Sequence, residues 1–192
     1  HRKLILPQLG APGVAGTAVS KATGFRVQFG PVRASDLPEY LRTGIATPAM
    51  RRVRFQMWDR MVLIPVDLMS YVLPILIILL LRLPDVLTAV LAGVIAFPIL
   101  LPWLPTPNYS TKGYILGALA AAPFVVNTLG GSLTGASWHS AGVAAVQLLA
   151  LPPITAFIAL DYTGATPFPS PSGVRREIFR YAQPMAVLFG IG

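Results

Sequence analysis

Met61-Val62-Leu63-Ile64-Pro65-Val66-Asp67-Leu68-Met69-Ser70-Tyr71-Val72-Leu73-Pro74-Ile75-Leu76-Ile77-Ile78-Leu79-Leu80-Leu81 is the stretch on which the fold turns. Its one charged side chain is Asp67, and it reaches the ~20 apolar residues that a helix needs to cross hydrocarbon. Working outward, Arg82-Leu83-Pro84-Asp85 reads as a turn and residues 86–101 as a second span, so the two predict a helical hairpin. A Pro-rich loop at 102–113 leads to a third span at 114–129, and a Gly and Ser loop at 130–140 to a fourth at 141–160. The loop 161–183 carries Arg175, Arg176 and Arg180, and residues 184–192 begin a fifth span that stops short of a full crossing.

Composition agrees with this reading. The chain of 192 residues is 54% hydrophobic and 11% charged, far from the charged quarter of a water-soluble domain. Ten of its fifteen Lys and Arg precede Met61. The net charge of +8 therefore belongs to a basic segment beside an apolar run, where the positive-inside bias accounts for it without nucleic acid. With the N-terminal piece inside, the inner segments carry ten, one (Lys112) and three basic residues, and the outer turns carry Arg82 alone. The expected placement is a multi-pass protein of the cell membrane, in contact with the lipid bilayer, with its N-terminal domain in the cytoplasm. The absence of cysteine excludes disulfides, thiolate metal sites and cysteine nucleophiles within these residues. A first residue of His1, with no signal-peptide pattern, and the short last span read as the ends of an interior fragment of a longer protein.

Upstream of the membrane the grammar changes. Residues 3–6 form a short apolar run stopped by Pro7, and Pro7-Gln8-Leu9-Gly10-Ala11-Pro12-Gly13 is a loop. Residues 14–23 read as a helix closed by Gly24, and Phe25-Arg26-Val27-Gln28-Phe29 alternates as a half-buried strand does. After the loop Gly30-Pro31-Val32-Arg33, Asp36 with Glu39 predicts a capping box for a helix to Thr43, which Gly44 ends. Strand, loop, helix, repeated, predicts a parallel α/β sheet with ligands at the carboxyl ends of its strands. The expected fold class is a partial Rossmann-like α/β domain over residues 1–46, a basic juxtamembrane connector over 47–60, and an all-α transmembrane bundle over 61–192 with four full spans and the start of a fifth. In the connector, Arg51, Arg52 and Arg54 alternate with apolar residues and Trp58 marks headgroup depth.

Few residues offer chemistry. Asp67 either faces the bundle interior as a functional intramembrane residue or reaches Arg60 or headgroup water. His139 stands without neighbouring ligands, a poor metal set. Asn127 and Gln147 read as interhelical hydrogen-bond partners, and Gly117, Ala121, Ala141 and Ala145, spaced by four, as packing positions. Gly130-Gly131 lacks the Lys of a phosphate loop. No catalytic set and no metal site emerges from the residues themselves.

The two N-terminal loops also carry a resemblance. His1-Arg2-Lys3-Leu4-Ile5-Leu6-Pro7-Gln8-Leu9-Gly10-Ala11-Pro12-Gly13-Val14, followed by Gly24-Phe25-Arg26-Val27-Gln28-Phe29-Gly30-Pro31-Val32-Arg33-Ala34-Ser35-Asp36-Leu37-Pro38, resembles the corrinoid-binding domain of the acetyl-CoA synthase corrinoid iron-sulfur protein. The continuation Ala46-Thr47-Pro48-Ala49-Met50-Arg51-Arg52-Val53-Arg54-Phe55, then Asp59-Arg60-Met61-Val62-Leu63-Ile64-Pro65-Val66, and the late segments Tyr162-Thr163-Gly164-Ala165-Thr166-Pro167-Phe168 and Ser172-Gly173-Val174-Arg175-Arg176-Glu177 are similar to its membrane-anchored relatives, the mercury-methylating corrinoid proteins.

That resemblance implies a protein that carries a methyl group on a cobalamin-type corrinoid and delivers it to inorganic mercury(II), giving methylmercury, with a small ferredoxin-like iron-sulfur protein as partner. It implies Leu9, Gly10, Ala11, Gly13, Gly30, Pro31 and Arg33 as cofactor-binding positions, with Arg33 toward a propionamide or phosphate. In the family a cysteine from a cap helix with an Asn-x-Trp-Cys pattern meets the cobalt. This chain has no cysteine, so the resemblance places that helix upstream of His1 and makes the fragment alone inactive as a methyltransferase. Two alternatives stand beside this expectation: a membrane-tethered corrinoid methyl carrier of the acetyl-CoA pathway with another acceptor, and a non-enzymatic membrane transporter or scaffold.

Overall fold

The computed structural model describes residues 2–130, 137–162 and 171–191. The chain divides into two compact units, His1–Arg54 and Phe55–Gly192.

In the first unit, strand β1 (Lys3–Leu6) and strand β2 (Arg26–Phe29) pair in parallel, Lys3 opposite Arg26 through Leu6 opposite Phe29. Helix α1 (Gly16–Thr23) connects them and helix α2 (Leu37–Thr43) follows β2. Gly24 and Gly44 close the two helices at φ +72° and +71°, a left-handed conformation that glycine adopts without the Cβ penalty. Asp36 makes no side-chain cap on α2; a short 3-10 turn at Ala34–Asp36 leads in instead. The Asp59 carboxylate accepts the Gln56 N–H at 2.9 Å, so a capping contact falls on the next helix down the chain.

The second unit is helical. Helices α3 (Met57–Met61), α4 (Ile64–Ser70) and α5 (Val72–Leu80) follow one another, and α6 (Pro84–Leu91) continues through a π turn (Ala92–Ala96) into α7 (Phe97–Leu100). Then come α8 (Tyr109–Gly130), α9 (Trp138–Asp161) and α10 (Pro171–Ile191).

Two expectations are corrected. The partial Rossmann-like domain is not formed: among the described residues there are two short strands, paired only with each other, and no wound sheet. The four full spans and start of a fifth are not formed either. Two helices, α8 and α9, are long and apolar enough to cross a membrane, and a third crossing exists only if the pair α3–α4 and α5, bent by 60°, is one broken span. The bend has a local cause: Pro74 has no N–H to donate to Ser70, and its ring crowds that carbonyl.

The expected span at 86–101 is a helix from Pro84 to Leu100, only about 25 Å long at ~1.5 Å per residue, against the ~30 Å of hydrocarbon. Its Val90, Val94 and Phe97 are buried, so its apolar letters face protein. The expected fifth start is the second half of α10, whose first half carries Arg175, Arg176, Glu177 and Arg180. In both places an apolar run has the composition of a span, and tertiary packing or a polar flank decides its setting instead. The expected loop at 130–140, with Gly131, and the segment Thr163–Phe168 of the resemblance fall wholly or largely outside the described residues.

The core of the helical unit is the seam between α8 and α9. A Cβ on Gly113 would stand 2.5 Å from the Ala156 Cα, and one on Gly117 would stand 2.7 Å from the Pro152 Cα, so the two backbones touch as small residues permit. Ala121 is buried in the same seam, whereas Ala141 and Ala145 are exposed and α9 contributes Thr155 and Ala156 instead. Helix α6 closes on the pair through Thr155, fully buried, whose hydroxyl donates to the Ala89 carbonyl at 2.8 Å. Gln147 ties three helices, accepting from the Thr128 hydroxyl at 3.2 Å and donating to Asp85 at 3.4 Å.

Outward from this core, Leu73, Leu76 and Leu80 of α5, and Leu119 and Val126 of α8, are exposed. So much outward apolar surface on helices of crossing length marks the unit as membrane-associated. Replacing Gly117 with Leu is expected to force the seam open at a cost of about 1–3 kcal/mol, read as a fall in the thermal midpoint of detergent-solubilised protein. Thr155→Val is expected to cost about 1 kcal/mol for the lost interhelical bond, the Ala89 carbonyl keeping its bond from the Ala92 N–H.

Candidate functional site

The resemblance-derived positions lie on the two loops that leave β1 and β2. Because the strands are parallel and in register from Lys3–Arg26 to Leu6–Phe29, both loops leave from the same edge of the sheet. The first turns as a 3-10 helix, Gln8–Gly10, and Gly13 N–H donates to the Gly10 carbonyl at 3.1 Å. The second leaves at Gly30, whose N–H donates to the Leu6 carbonyl at 2.8 Å, and is held by Val32 N–H to the Met50 carbonyl at 2.8 Å.

Between the loop ends and α2 lies a cavity of about 230 Å³, bordered by Leu6, Pro7, Pro31, Val32, Arg33 and Leu37. Of the seven positions, Pro31 and Arg33 line it and the others do not. Gly30 is buried, and a Cβ there would stand 3.1 Å from Ile5 Cγ2 and 3.2 Å from the Tyr40 ring, so its small size serves packing. Gly10 is different: nothing stands within 4 Å of where its Cβ would be, and Gly13 has only the Gly10 oxygen at 3.9 Å. Leu9 is exposed and Ala11 half-buried beside them. The first loop thus offers an open shelf of backbone. Gln8, which sequence reasoning passed over, holds a buried Oε1 with no hydrogen-bond partner. Nothing in the local sequence marks it; its burial follows from the turn.

In the helical unit Asp67 stands in the first turn of α4, half-buried. It forms no ion pair with Arg60 among the described residues. Tyr71, four residues on, donates its hydroxyl to Asp161 at the end of α9 at 3.2 Å. Tyr162 follows, edge-on to Phe97 at 5.8 Å. Burial, and after it the negative charge of Asp67, holds the Tyr162 phenol above its ordinary range, against the pull of Arg60. It stays protonated, and its oxygen is buried without a partner. His139 is exposed in the first turn of α9, and no group of three metal-ligating side chains exists among the described residues.

No family model, no curated protein and no solved structure matches this chain.

The two tyrosines predict opposite outcomes. Tyr71→Phe removes a made bond and is expected to lower stability by about 0.5–1.5 kcal/mol, while Tyr162→Phe removes a buried hydroxyl with no partner and is expected to leave it unchanged or raise it. Denaturation midpoints of the two variants in detergent test the contrast.

Proposed function

We propose that this chain is part of a membrane-anchored corrinoid protein that transfers a methyl group to inorganic mercury(II). The observation that carries the reading is the meeting of two Gly- and Pro-bearing loops at one edge of a parallel strand pair, on the residues that carry the resemblance. The residues present suit a broad, amide-fringed cofactor. The shelf at Gly10 and Gly13 leaves backbone approachable, the Gln8 Oε1 needs a donor such as a carboxamide N–H, and Arg33 lines the adjoining cavity with a guanidinium suited to a phosphate.

When bound, the corrinoid supplies a cobalt able to accept and release a methyl group, and mercury(II) is the acceptor substrate. Leu9, Gly10, Ala11 and Gly13 bear the cofactor's edge, Arg33 holds its polar fringe, and Gly30 and Pro31 fix the loop that presents Arg33. A small ferredoxin-like iron-sulfur protein is the reducing partner. No residue of the chain is assigned a catalytic role. The first unit lies on the cytoplasmic face of the cell membrane, because ten of fifteen Lys and Arg precede the first apolar run.

Disrupting the gene in its host is expected to abolish methylmercury formation from mercury(II); unaltered formation would overturn the reading. In purified protein, Gly10→Trp meets no neighbour within 4 Å at its Cβ and is expected to reduce retained corrinoid, measured by visible absorbance, at least tenfold at an unchanged thermal midpoint. These residues hold no cysteine, so Arg51→Cys adds one label site here, read as the increment in labelling over the parent protein. It is expected to react with a membrane-impermeant maleimide only after the cells are opened, and labelling of intact cells would reverse the orientation.

A further inference from the structure

One cavity of the helical unit is unlike the rest. It has a volume of about 360 Å³ and is lined by Arg60 of α3, Lys112 of α8, Tyr109, Phe55, Pro102 and Pro107. Arg60 is 6% exposed and its Nε has no hydrogen-bond partner. Among the described residues it forms no ion pair. A guanidinium does not discharge at neutral pH, and an uncompensated buried charge is strongly unfavourable.

The nearby carboxylates do not supply the missing anion. Asp161 accepts from Tyr71, Asp59 accepts the Gln56 N–H, and among the described residues neither of them nor Asp67 forms an ion pair with Arg60. Lys112 donates one bond, to the Leu101 carbonyl at 2.9 Å, and lies 5.9 Å from the centre of the Tyr109 ring; an ammonium has three donors. Two cations therefore border one cavity with no anionic side chain among its described lining residues, and with apolar walls of Phe55, Leu101 and prolines.

Its depth in the membrane is marked independently. Trp58, two residues before Arg60, and Trp103, next to Pro102, are 72% and 66% exposed, and exposed tryptophans gather at the headgroup level. We propose that this cavity is a phosphate site that takes the headgroup of an anionic phospholipid, Arg60 and Lys112 holding the phosphate and Phe55, Leu101 and the prolines covering the glycerol end. Basic pockets between membrane helices bind anionic headgroups by the same physics. The site lies within the helical unit and does not depend on the corrinoid reading.

The test is the thermal midpoint of the purified full chain in neutral detergent, titrated separately with dihexanoyl phosphatidylglycerol, dihexanoyl phosphatidylcholine and inorganic phosphate. A saturable rise with phosphatidylglycerol is expected, at least tenfold weaker in Arg60→Gln and in Lys112→Gln. It should be unchanged in Arg42→Gln, which makes the same charge change at an exposed position of the other unit. Should Arg60→Gln fail to fold, Lys112→Gln decides alone, each variant being read against its own ligand-free midpoint. An equal response to inorganic phosphate, lost in the same variants, supports the phosphate site and assigns it to free phosphate. No saturable response in wild type, an equal response to phosphatidylcholine, or a phosphatidylglycerol response that survives in the folded variants would overturn the proposal.

Discussion

The close approach of α8 to α9 is the constraint from which the helical unit follows. With lipid on the outside, no hydrophobic force drives one apolar helix onto another, and association rests on dispersion contacts and interhelical hydrogen bonds. Gly113 and Gly117 make those contacts dense by letting the α8 backbone reach the Ala156 and Pro152 backbone. The seam then presents Thr155 to Ala89, and Ile158 to Gly93, so that α6 is held as a third layer. Phe97, brought in at the end of this helix, meets Tyr109 at 5.9 Å and Tyr162 at 5.8 Å, and the polar end of the unit is built around that aromatic cluster.

At that end, chain ends and turns supply polarity that the middle of the unit lacks. Ser110 N–H is met by the Glu177 carboxylate at 2.6 Å, and Asn108 donates to the Tyr181 hydroxyl at 3.2 Å. These contacts dock the polar half of α10 against the start of α8. They favour a start of α8 at Tyr109, ahead of the apolar run: the Ser110 N–H, one of those an isolated helix leaves unmet, finds an acceptor from a helix far along the chain. Arg60 and Lys112 line one cavity at the same end; there Lys112 has the Leu101 carbonyl, while Arg60 has no ion pair among the described residues.

The first unit works under a different rule. Two strands of four residues bury little, and Leu4 and Ile5 remain 38% and 37% exposed, so its order rests on loop and turn contacts more than on a core. Tyr40, at 3% exposed, packs over Gly30, and through that contact α2 fixes the second loop against β1. The proposed cofactor shelf is therefore divided between a loop held from below, at Gly30 and Pro31, and a loop left open, at Gly10 and Gly13.

Much of this was readable one segment at a time, because its causes are local. The strand at residues 3–6, the alternation before Phe29, and the glycine stops at Gly24 and Gly44 depend on near neighbours in sequence, and each element stands where its pattern places it. The long apolar runs that became α8 and α9 were equally plain, since length and composition alone set whether a helix can cross. What the letters could not carry was the direction each apolar face turns. Val90, Val94 and Phe97 belong to an expected span and are core, Pro74 bends an expected single span, and Arg60, expected in the juxtamembrane connector, is buried and lines a cavity with Lys112 from a helix some fifty positions away. Those outcomes belong to tertiary structure because each depends on which distant surface arrives, and hydropathy records only that an apolar side chain avoids water, whether it finds lipid or protein in its place.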